Sequence, residues 1–167
     1  PNEQEASVET HLPLGTDENG PRKDDLQKIA AALWNRGVEH VVITLGSSGS
    51  AVVEGESIRY IPCVQMPHVA DPTAAGDSFV GALSVGLSIG LSQEQALAFA
   101  SHTAAITVSR MGAMPSLPNL EEVLALLEKT LKQYEGMTPD DLRVHYKYFL
   151  DAVIPVCEEV GVRMACH

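Results

Sequence analysis

The spacing of apolar residues changes several times along the chain, and these changes predict helices separated by short strands. Residues 24–36 carry apolar side chains every three or four positions, as an amphipathic helix does, and Gly37 ends the pattern. Residues 38–45 form an apolar run of strand length. Residues 11–23 are polar and rich in Gly and Pro, which predicts a loop.

A hairpin and three helices are predicted after this strand. Residues 51–61 predict a hairpin with a glycine in its turn. Residues 79–89 are apolar on all sides and therefore predict a buried helix. Ser92, followed three positions later by a glutamine, predicts a capping box that begins the next helix. Apolar residues at helical spacing between 120 and 131 predict a last amphipathic helix.

A separate helix–strand unit is predicted at the end of the chain. Thr138, Pro139 and the acidic residues after them are typical of a helix start, and an apolar stripe continues to Cys157. Residues 162–166 then alternate as a strand does. A helix followed by a strand is typical of one unit of an α/β barrel.

Composition and charge narrow the classes of function. The chain has 167 residues, 45% of them hydrophobic, which is enough for a buried core in one compact domain. Its 11 basic and 22 acidic residues give a net charge of −11, so neither nucleic acid nor an anionic membrane is an expected partner. We expect no membrane span and no signal peptide, and three cysteines without a Cys-x-x-Cys pair fit a cytoplasmic protein. The chain starts at Pro1 without a leading strand, which favours a fragment or a joined product.

The stretch from Asp71 to Asp77, Asp-Pro-Thr-Ala-Ala-Gly-Asp, carries the main candidate chemistry. Asp-Pro favours a turn, and the small residues after it leave the backbone unshielded before a long apolar run. Free N–H groups at such a helix start suit an anion such as a transferring phosphoryl group. Asp77 would repel phosphate, but it fits a base that takes the proton of an attacking hydroxyl. The alternative is an ordinary helix capped by Asp77.

Two other stretches are candidates for binding a nucleotide. The Gly/Ser segment 46–50 follows a strand, so it is either a phosphate cradle or a hairpin turn. It is not a Walker A loop, because no Gly-Lys-Ser/Thr follows. Asn2 and Glu5 have the spacing of one face of a helix start, which is either a solvated cap or part of a site.

Residues 71–84 resemble the C-terminal signature of the ribokinase-like sugar kinases, the phosphofructokinase-B type. The resemblance implies that Asp77 is the catalytic base and that the anion hole is formed by Ala74, Ala75, Gly76 and Asp77. Thr-Leu-Gly-Ser-Ser-Gly at 44–49 resembles the family's nucleotide segment, and Asn2 with Glu5 resembles its Asn-x-x-Glu motif, which organises Mg²⁺. The implied ATP-binding residues are Asn2, Glu5, Thr44, Gly46, Ser47, Gly49, Gly76, Asp77 and Ser101.

A cation loop is also implied by resemblance. Residues 110–116 resemble the ribokinase segment Thr-Arg-x-Gly-Ala-x-Pro-Ser, with Ser109 in place of its Thr. In ribokinases this loop and the anion-hole loop bind a monovalent cation, and an oxygen-rich shell suits K⁺. The implied ligands, mostly through backbone oxygens, are Asp71, Thr73, Thr107, Gly112 and Ser116.

The resemblance implies an α/β fold with two parts. Residues 1–133 are expected to be the C-terminal, nucleotide-binding portion of a ribokinase-like three-layer α/β/α fold. Residues 134–167 are expected to be an appended helix–strand segment, within which residues 146–167 resemble a fragment of mannonate dehydratase. One such fragment lacks the several ligands that a metal site needs, so we expect no dehydratase activity from it.

The implied function is that of an ATP-dependent carbohydrate kinase, which transfers the γ-phosphoryl group to a sugar hydroxymethyl, with ribose as the first expectation. 2-Keto-3-deoxygluconate is an alternative acceptor, because mannonate dehydratase makes it. A further alternative is a non-catalytic nucleotide-binding fragment, because in the family the sugar is held mainly by the N-terminal half. The open sheet edge of such a fragment would favour a homo-oligomer.

Overall fold

The computed structural model describes residues 1–17 and 20–134, together with residues 138 and 147. The helix and strand predicted after residue 138 therefore lie outside the described residues. Contacts between Cα atoms divide the chain into two units, Pro1–Leu127 and Glu128–His167. The sheets, the core and the candidate site described below belong to the first unit.

The part of the chain that the structure describes contains five short strands, which form two antiparallel sheets. β1 (Thr16–Asp17) and β2 (Gly20–Pro21) make a two-residue ladder inside the segment that the sequence predicts as a loop. β3 (Val41–Thr44), β4 (Ser50–Glu54) and β5 (Ser57–Ile61) form the main sheet in the order β3-β4-β5. The predicted hairpin is thus confirmed, while the first predicted strand is shorter than its apolar run.

Residues 1–17 and 20–134 contain five α-helices. α1 spans Glu3–Thr10, α2 Lys23–Trp34 and α3 Ala75–Ser88. α4 spans Gln93–Val108 and α5 Leu120–Tyr134. Capping boxes begin α1 and α4, as the spacing of their polar residues predicts, because each cap side chain and each third helical side chain satisfies the other residue's N–H.

Two hydrophobic clusters form the core, and alternation along β4 assigns each to one face of the sheet. Ala51 and Val53 pack with side chains of α1, α2 and β3, including Ala6, Leu26, Ile29, Ala30, Val41 and Ile43. Val52 points the other way and packs with Phe79, Ala82, Leu97 and Ala100 of α3 and α4. Helices therefore cover both faces of the sheet, which gives the three layers of the expected α/β/α fold.

The prediction that α3 is buried on all sides is wrong. Its buried residues, Ser78, Phe79, Ala82 and Gly86, make one stripe. Gly86 lets the helices approach closely, because an ideal Cβ there would lie 3.1 Å from the Cβ of Ala96 on α4. Val80 and Val85, which are not part of this stripe, are 50% and 54% exposed. An apolar sequence shows that a helix is able to be buried, but not how many of its faces meet a neighbour.

No helix among residues 1–17 and 20–134 is long and apolar enough to cross a membrane.

Candidate nucleotide site

The start of α3 is not capped by a side chain. Ala74 is the N-cap residue, in the left-handed region at φ 62°, and Asp77 lies exposed in the first helical turn. The alternative in which Asp77 caps the helix is therefore wrong. Ser78 N–H donates to the Ala74 carbonyl, 2.9 Å away, but no acceptor among the described residues pairs with the N–H of Gly76 or Asp77. These two donors are free to bind an anion.

Asp71 fixes the loop that leads into α3. One carboxylate oxygen accepts the N–H of Thr73 at 2.9 Å, and the other accepts the N–H of Gly112 at 3.0 Å. The hydrogen bonds from Thr73 and then Gly112 lower the pKa of Asp71 below its usual value. The N–H groups of Ala70 and Asp71 also donate to the Val108 carbonyl. The loop is thus held at three points by backbone groups.

The Gly/Ser segment connects β3 to β4 as a 3-10 turn at Gly46–Ser48, so it is a hairpin turn. Gly49 lies against the end of β5 at φ 94°, where an ideal Cβ would be 2.0 Å from the Ile61 carbonyl oxygen. The thiol of Cys63 donates to the carbonyl of Ser47 at 2.9 Å. The turn and the segment after β5 therefore form one continuous wall.

Asn2 joins this wall from the other side. The Thr44 N–H donates to the Pro1 carbonyl at 3.0 Å, and Asn2 makes a parallel bridge with Thr44. The Asn2 side chain accepts the Glu5 N–H at 2.9 Å, and the Glu5 carboxylate accepts the Asn2 N–H at 2.7 Å. The solvated cap that the sequence allows is thus present, and it lies beside the end of β3.

These elements enclose a cavity of about 460 Å³. Eight of the residues implied by resemblance line it: Asn2, Thr44, Gly46, Ser47, Gly49, Ala75, Gly76 and Ser101. The structure therefore brings together four stretches of sequence that are far apart in the chain.

Ten further residues line this cavity that the sequence did not single out: Cys63, Val64, Gln65, Met66, Val69, Pro72, Phe79, Ala104, Ala105 and Val108. Three of them follow Ser101 on α4 at intervals of three, four and seven, so helical spacing alone was enough to find them. The residues of segment 63–69 belong to the loop that connects β5 to α3, so no helix or strand spacing in the sequence predicts that they line the cavity.

Asp77 and Ala74 do not line the 460 Å³ cavity. They line a second cavity of about 230 Å³ with Ser78, Ala113, Met114 and Leu117. The start of α3 therefore presents Ala75 and Gly76 to one cavity and Asp77 to another. Glu5, which is exposed, lines neither of the two cavities.

The residues implied for K⁺ are partly brought together. Asp71 contacts Gly112 directly, and Thr107 and Ser116 are fully buried. Their hydroxyls donate to the Thr103 and Ala113 carbonyls, and each hydroxyl oxygen keeps lone pairs that a cation is able to use. Within the described ranges no group of three or more His, Cys, Asp or Glu side chains is placed to hold a metal ion. A shell of backbone oxygens is a different kind of site from such a group.

Two family models match the chain. The family model of the pfkB carbohydrate kinases matches residues 1–120. The D-mannonate dehydratase model matches residues 88–167, so it overlaps the kinase match and begins earlier than the predicted tail. Mannonate dehydratase of Lachnoclostridium phytofermentans is 57% identical over 53 residues, which are 31% of this chain and 15% of that protein.

Individual relatives of the kinase part are ribokinases. Ribokinase of Arabidopsis thaliana is 36% identical over 77% of this chain and 32% of its own length, and that of Haemophilus influenzae is 35% identical over 77% and 40%. The structure of the Arabidopsis enzyme complexed with ribose and ATP superposes with a TM-score of 0.67, covering 76% of this chain and 39% of that one. The structure of an E. coli ribokinase II in complex with ATP and Mg²⁺ is 25% identical in sequence. It superposes with a TM-score of 0.62, covering 77% of this chain and 38% of that one.

The chain spans about a third of the length of these curated relatives. Over the matched part, the chain resembles the Arabidopsis ribokinase in both sequence and fold. Because the family model covers well over half of its residues, the chain belongs to the pfkB family of carbohydrate kinases.

Proposed function

We propose that the 460 Å³ cavity binds ATP and that the chain carries the nucleotide-binding part of a sugar kinase. The observation that carries the proposal is the pair of unpaired N–H groups at Gly76 and Asp77, beside a cavity that two other nucleotide motifs also line. Donors at a helix start attract phosphate through both hydrogen bonds and the helix dipole.

The lining of the cavity suits the two ends of a nucleotide. Apolar side chains of the segment 63–69 and of α4, among them Val64, Met66 and Val108, offer a surface for a flat base near Ser101. The Gly/Ser turn and Gly76 lie without bulky side chains, so phosphate oxygens are able to approach their backbones.

The proposed chemistry places the acceptor hydroxyl on the Asp77 side of the helix start. The Asp77 carboxylate takes the hydroxyl proton as the hydroxyl oxygen bonds to the γ-phosphorus, and the bond from that phosphorus to the β–γ bridging oxygen breaks to release ADP. The free amides of Gly76 and Asp77 hydrogen-bond the developing negative charge, whereas the Ala75 N–H already donates to the Pro72 carbonyl at 3.2 Å. Asp77 is exposed, which suits a group that must meet a second substrate.

Two cations belong to the proposal. When bound, Mg²⁺ would neutralise phosphate charge, and Asn2 on the cavity wall and, indirectly, Glu5 would help to hold it. K⁺ would be held mostly by backbone oxygens. The residues proposed to supply its ligands are Asp71 and Thr73 in the loop before α3, Thr107 near the end of α4, and Gly112 and Ser116 after α4.

Ribose is the proposed acceptor because an Arabidopsis ribokinase similar to this chain was solved with ribose and ATP. 2-Keto-3-deoxygluconate is the second candidate, favoured by the mannonate dehydratase match at the end of the chain. Because the chain spans about a third of its relatives, we propose that alone it binds ATP with little or no phosphoryl transfer.

A chimera tests the kinase proposal against a purely nucleotide-binding module. Residues 1–120 of this chain would replace the matching part of Arabidopsis ribokinase, and ADP release would be measured with ribose, with 2-keto-3-deoxygluconate and without sugar. We expect sugar-dependent turnover that Asp77→Asn lowers by on the order of 10²-fold or more, with ATP affinity kept. A chimera that binds ATP but gives the same negligible turnover with Asp77 or Asn would favour the non-catalytic module.

A further inference from the structure

An ion pair joins the segment after α4 to the start of α5. The Arg110 guanidinium makes two hydrogen bonds to the Glu122 carboxylate, one of them from Nη1 to Oε2 at 3.3 Å. Glu122 also accepts the Asn119 N–H at 2.9 Å, and the Asn119 side chain accepts the Glu122 N–H at 3.0 Å. Arg110 and then Asn119 lower the pKa of Glu122. This reciprocal pair is a capping box, so the carboxylate that holds Arg110 is itself fixed by a helix start.

The ion pair is connected to the anion-binding loop by a short path. Arg110 lies two residues before Gly112, whose N–H donates to Asp71 and whose φ is 87°. The other Asp71 oxygen holds the N–H of Thr73, the residue before the left-handed Ala74. Hydrogen bonds and short stretches of backbone thus lead from the start of α5 to the start of α3.

We propose that Arg110 and Glu122 are positioning residues, which hold Gly112 so that Asp71 keeps the first turn of α3 in its anion-binding geometry. The inference rests on the proposed binding of ATP phosphates at that turn. Ala74 is a non-glycine residue in the left-handed region, and such a conformation persists only when its surroundings hold it. Without the Gly112 anchor, Asp71 retains one of its two backbone donors, and the free N–H groups of the first turn are less well aimed.

The chain offers a matched control. Arg59 on β5 forms an ion pair with Glu94 of α4 at 3.6 Å, and its side chain is 36% exposed, as is that of Arg110. Arg59 lines neither described cavity, and no hydrogen bond recorded for it reaches the loop at Asp71. Arg59→Met and Arg110→Met therefore remove the same charge from equally exposed side chains, although the partner Glu94 is 80% exposed and Glu122 is 38% exposed.

The test combines ATP affinity with amide hydrogen exchange measured by NMR on the full chain. Arg110→Met is expected to weaken ATP binding by about tenfold, which is the usual size of the effect when a residue acts on a binding site through its neighbours. It should also speed exchange of the Gly112 and Thr73 amides, whereas Arg59→Met should change neither. Arg110→Lys, which keeps the charge but loses the two-pronged geometry, should lie between. In an Asp71→Asn background the Arg110→Met effect on affinity should largely vanish.

Unchanged exchange at Gly112 and Thr73 in Arg110→Met would overturn the inference, and so would equal affinity losses with and without Asp71→Asn. If the unaltered chain does not bind ATP, the proposed function fails, while the exchange rates still decide whether the ion pair holds the loop. If Arg110→Met does not fold, Glu122→Gln replaces it, because that change preserves volume and removes only the charge.

Discussion

Gly76 and Gly81 allow function and stability to be separated within one helix. Both lie in α3 outside the left-handed region, and an ideal Cβ at either meets no atom within 4 Å. Replacing a helix-interior glycine by alanine stabilises a helix by up to about 1 kcal/mol, so Gly81→Ala should raise the melting temperature by about 2–4 °C. Gly76 is in the first turn, where we expect a smaller gain but no loss.

ATP affinity should distinguish the two changes. Gly76 lines the 460 Å³ cavity and Gly81 does not, so only a methyl group at Gly76 would stand where we propose that phosphate meets the free N–H groups. A hydrogen bond to a charged group is worth about 1.5–3 kcal/mol, so losing one should weaken binding on the order of 10- to 100-fold.

The assay is thermal unfolding of each variant together with calorimetric titration of ATP and Mg²⁺. The expected result is a Gly76→Ala protein that is at least as stable as the unaltered chain yet binds ATP poorly, beside a Gly81→Ala protein that binds normally. Normal ATP binding by a folded Gly76→Ala protein would refute the assignment of the phosphate position.

Three further changes test the structure around the site. Gly49→Ala places a methyl group 2.0 Å from a backbone oxygen at φ 94°, so urea denaturation should show that the free energy of unfolding falls by on the order of 3 kcal/mol. Gly55→Ala, at φ 59° in open space, should lower it by only about 1 kcal/mol, and equal losses would contradict the close approach at Gly49. The Ser50 hydroxyl is buried without a partner in the described part of the chain, so Ser50→Ala should be neutral or stabilising by up to about 1 kcal/mol, and a clear loss of stability would reveal a partner. The lowered pKa of Asp71 means that its contribution to stability is full above its unfolded pKa of about 4 and is lost as the pH falls through the lower folded value. The stability difference between the unaltered chain and Asp71→Asn should therefore be constant near neutral pH and shrink in acid, and a difference that grows in acid would contradict the hydrogen bonds to Asp71.

Local sequence signals predicted the fold well where one short-range interaction decides the structure. The capping boxes at Asn2 and Ser92 follow from residues three apart, and the hairpin around Gly55 follows from a turn between two apolar runs. The burial of α3 depends instead on contacts with β4 and α4, which the sequence of one helix does not contain. The β1–β2 ladder was missed for a different reason, because two residues on each side are too few to show a strand pattern.

The candidate site was predictable as motifs but not as an arrangement. Asn2, the Gly/Ser turn and Gly76 carry recognisable sequence patterns, and the structure places all of them on one cavity. Helical spacing already places Ala74 and Asp77 on a different face of α3 from Ala75 and Gly76. What the sequence does not show is the hydrogen bond between Asp71 and Gly112, which are 41 residues apart. No local pattern reports a contact over such a distance.

The central claim is that the cavity binds ATP, and calorimetric titration of the purified chain with ATP and Mg²⁺, with and without K⁺, tests it most directly. The titration should be run at two temperatures, because a binding enthalpy near zero at one temperature is not zero at both. We predict saturable binding that K⁺ strengthens. No saturable heat at either temperature, from a chain whose far-UV circular dichroism shows it to be folded, would contradict the account.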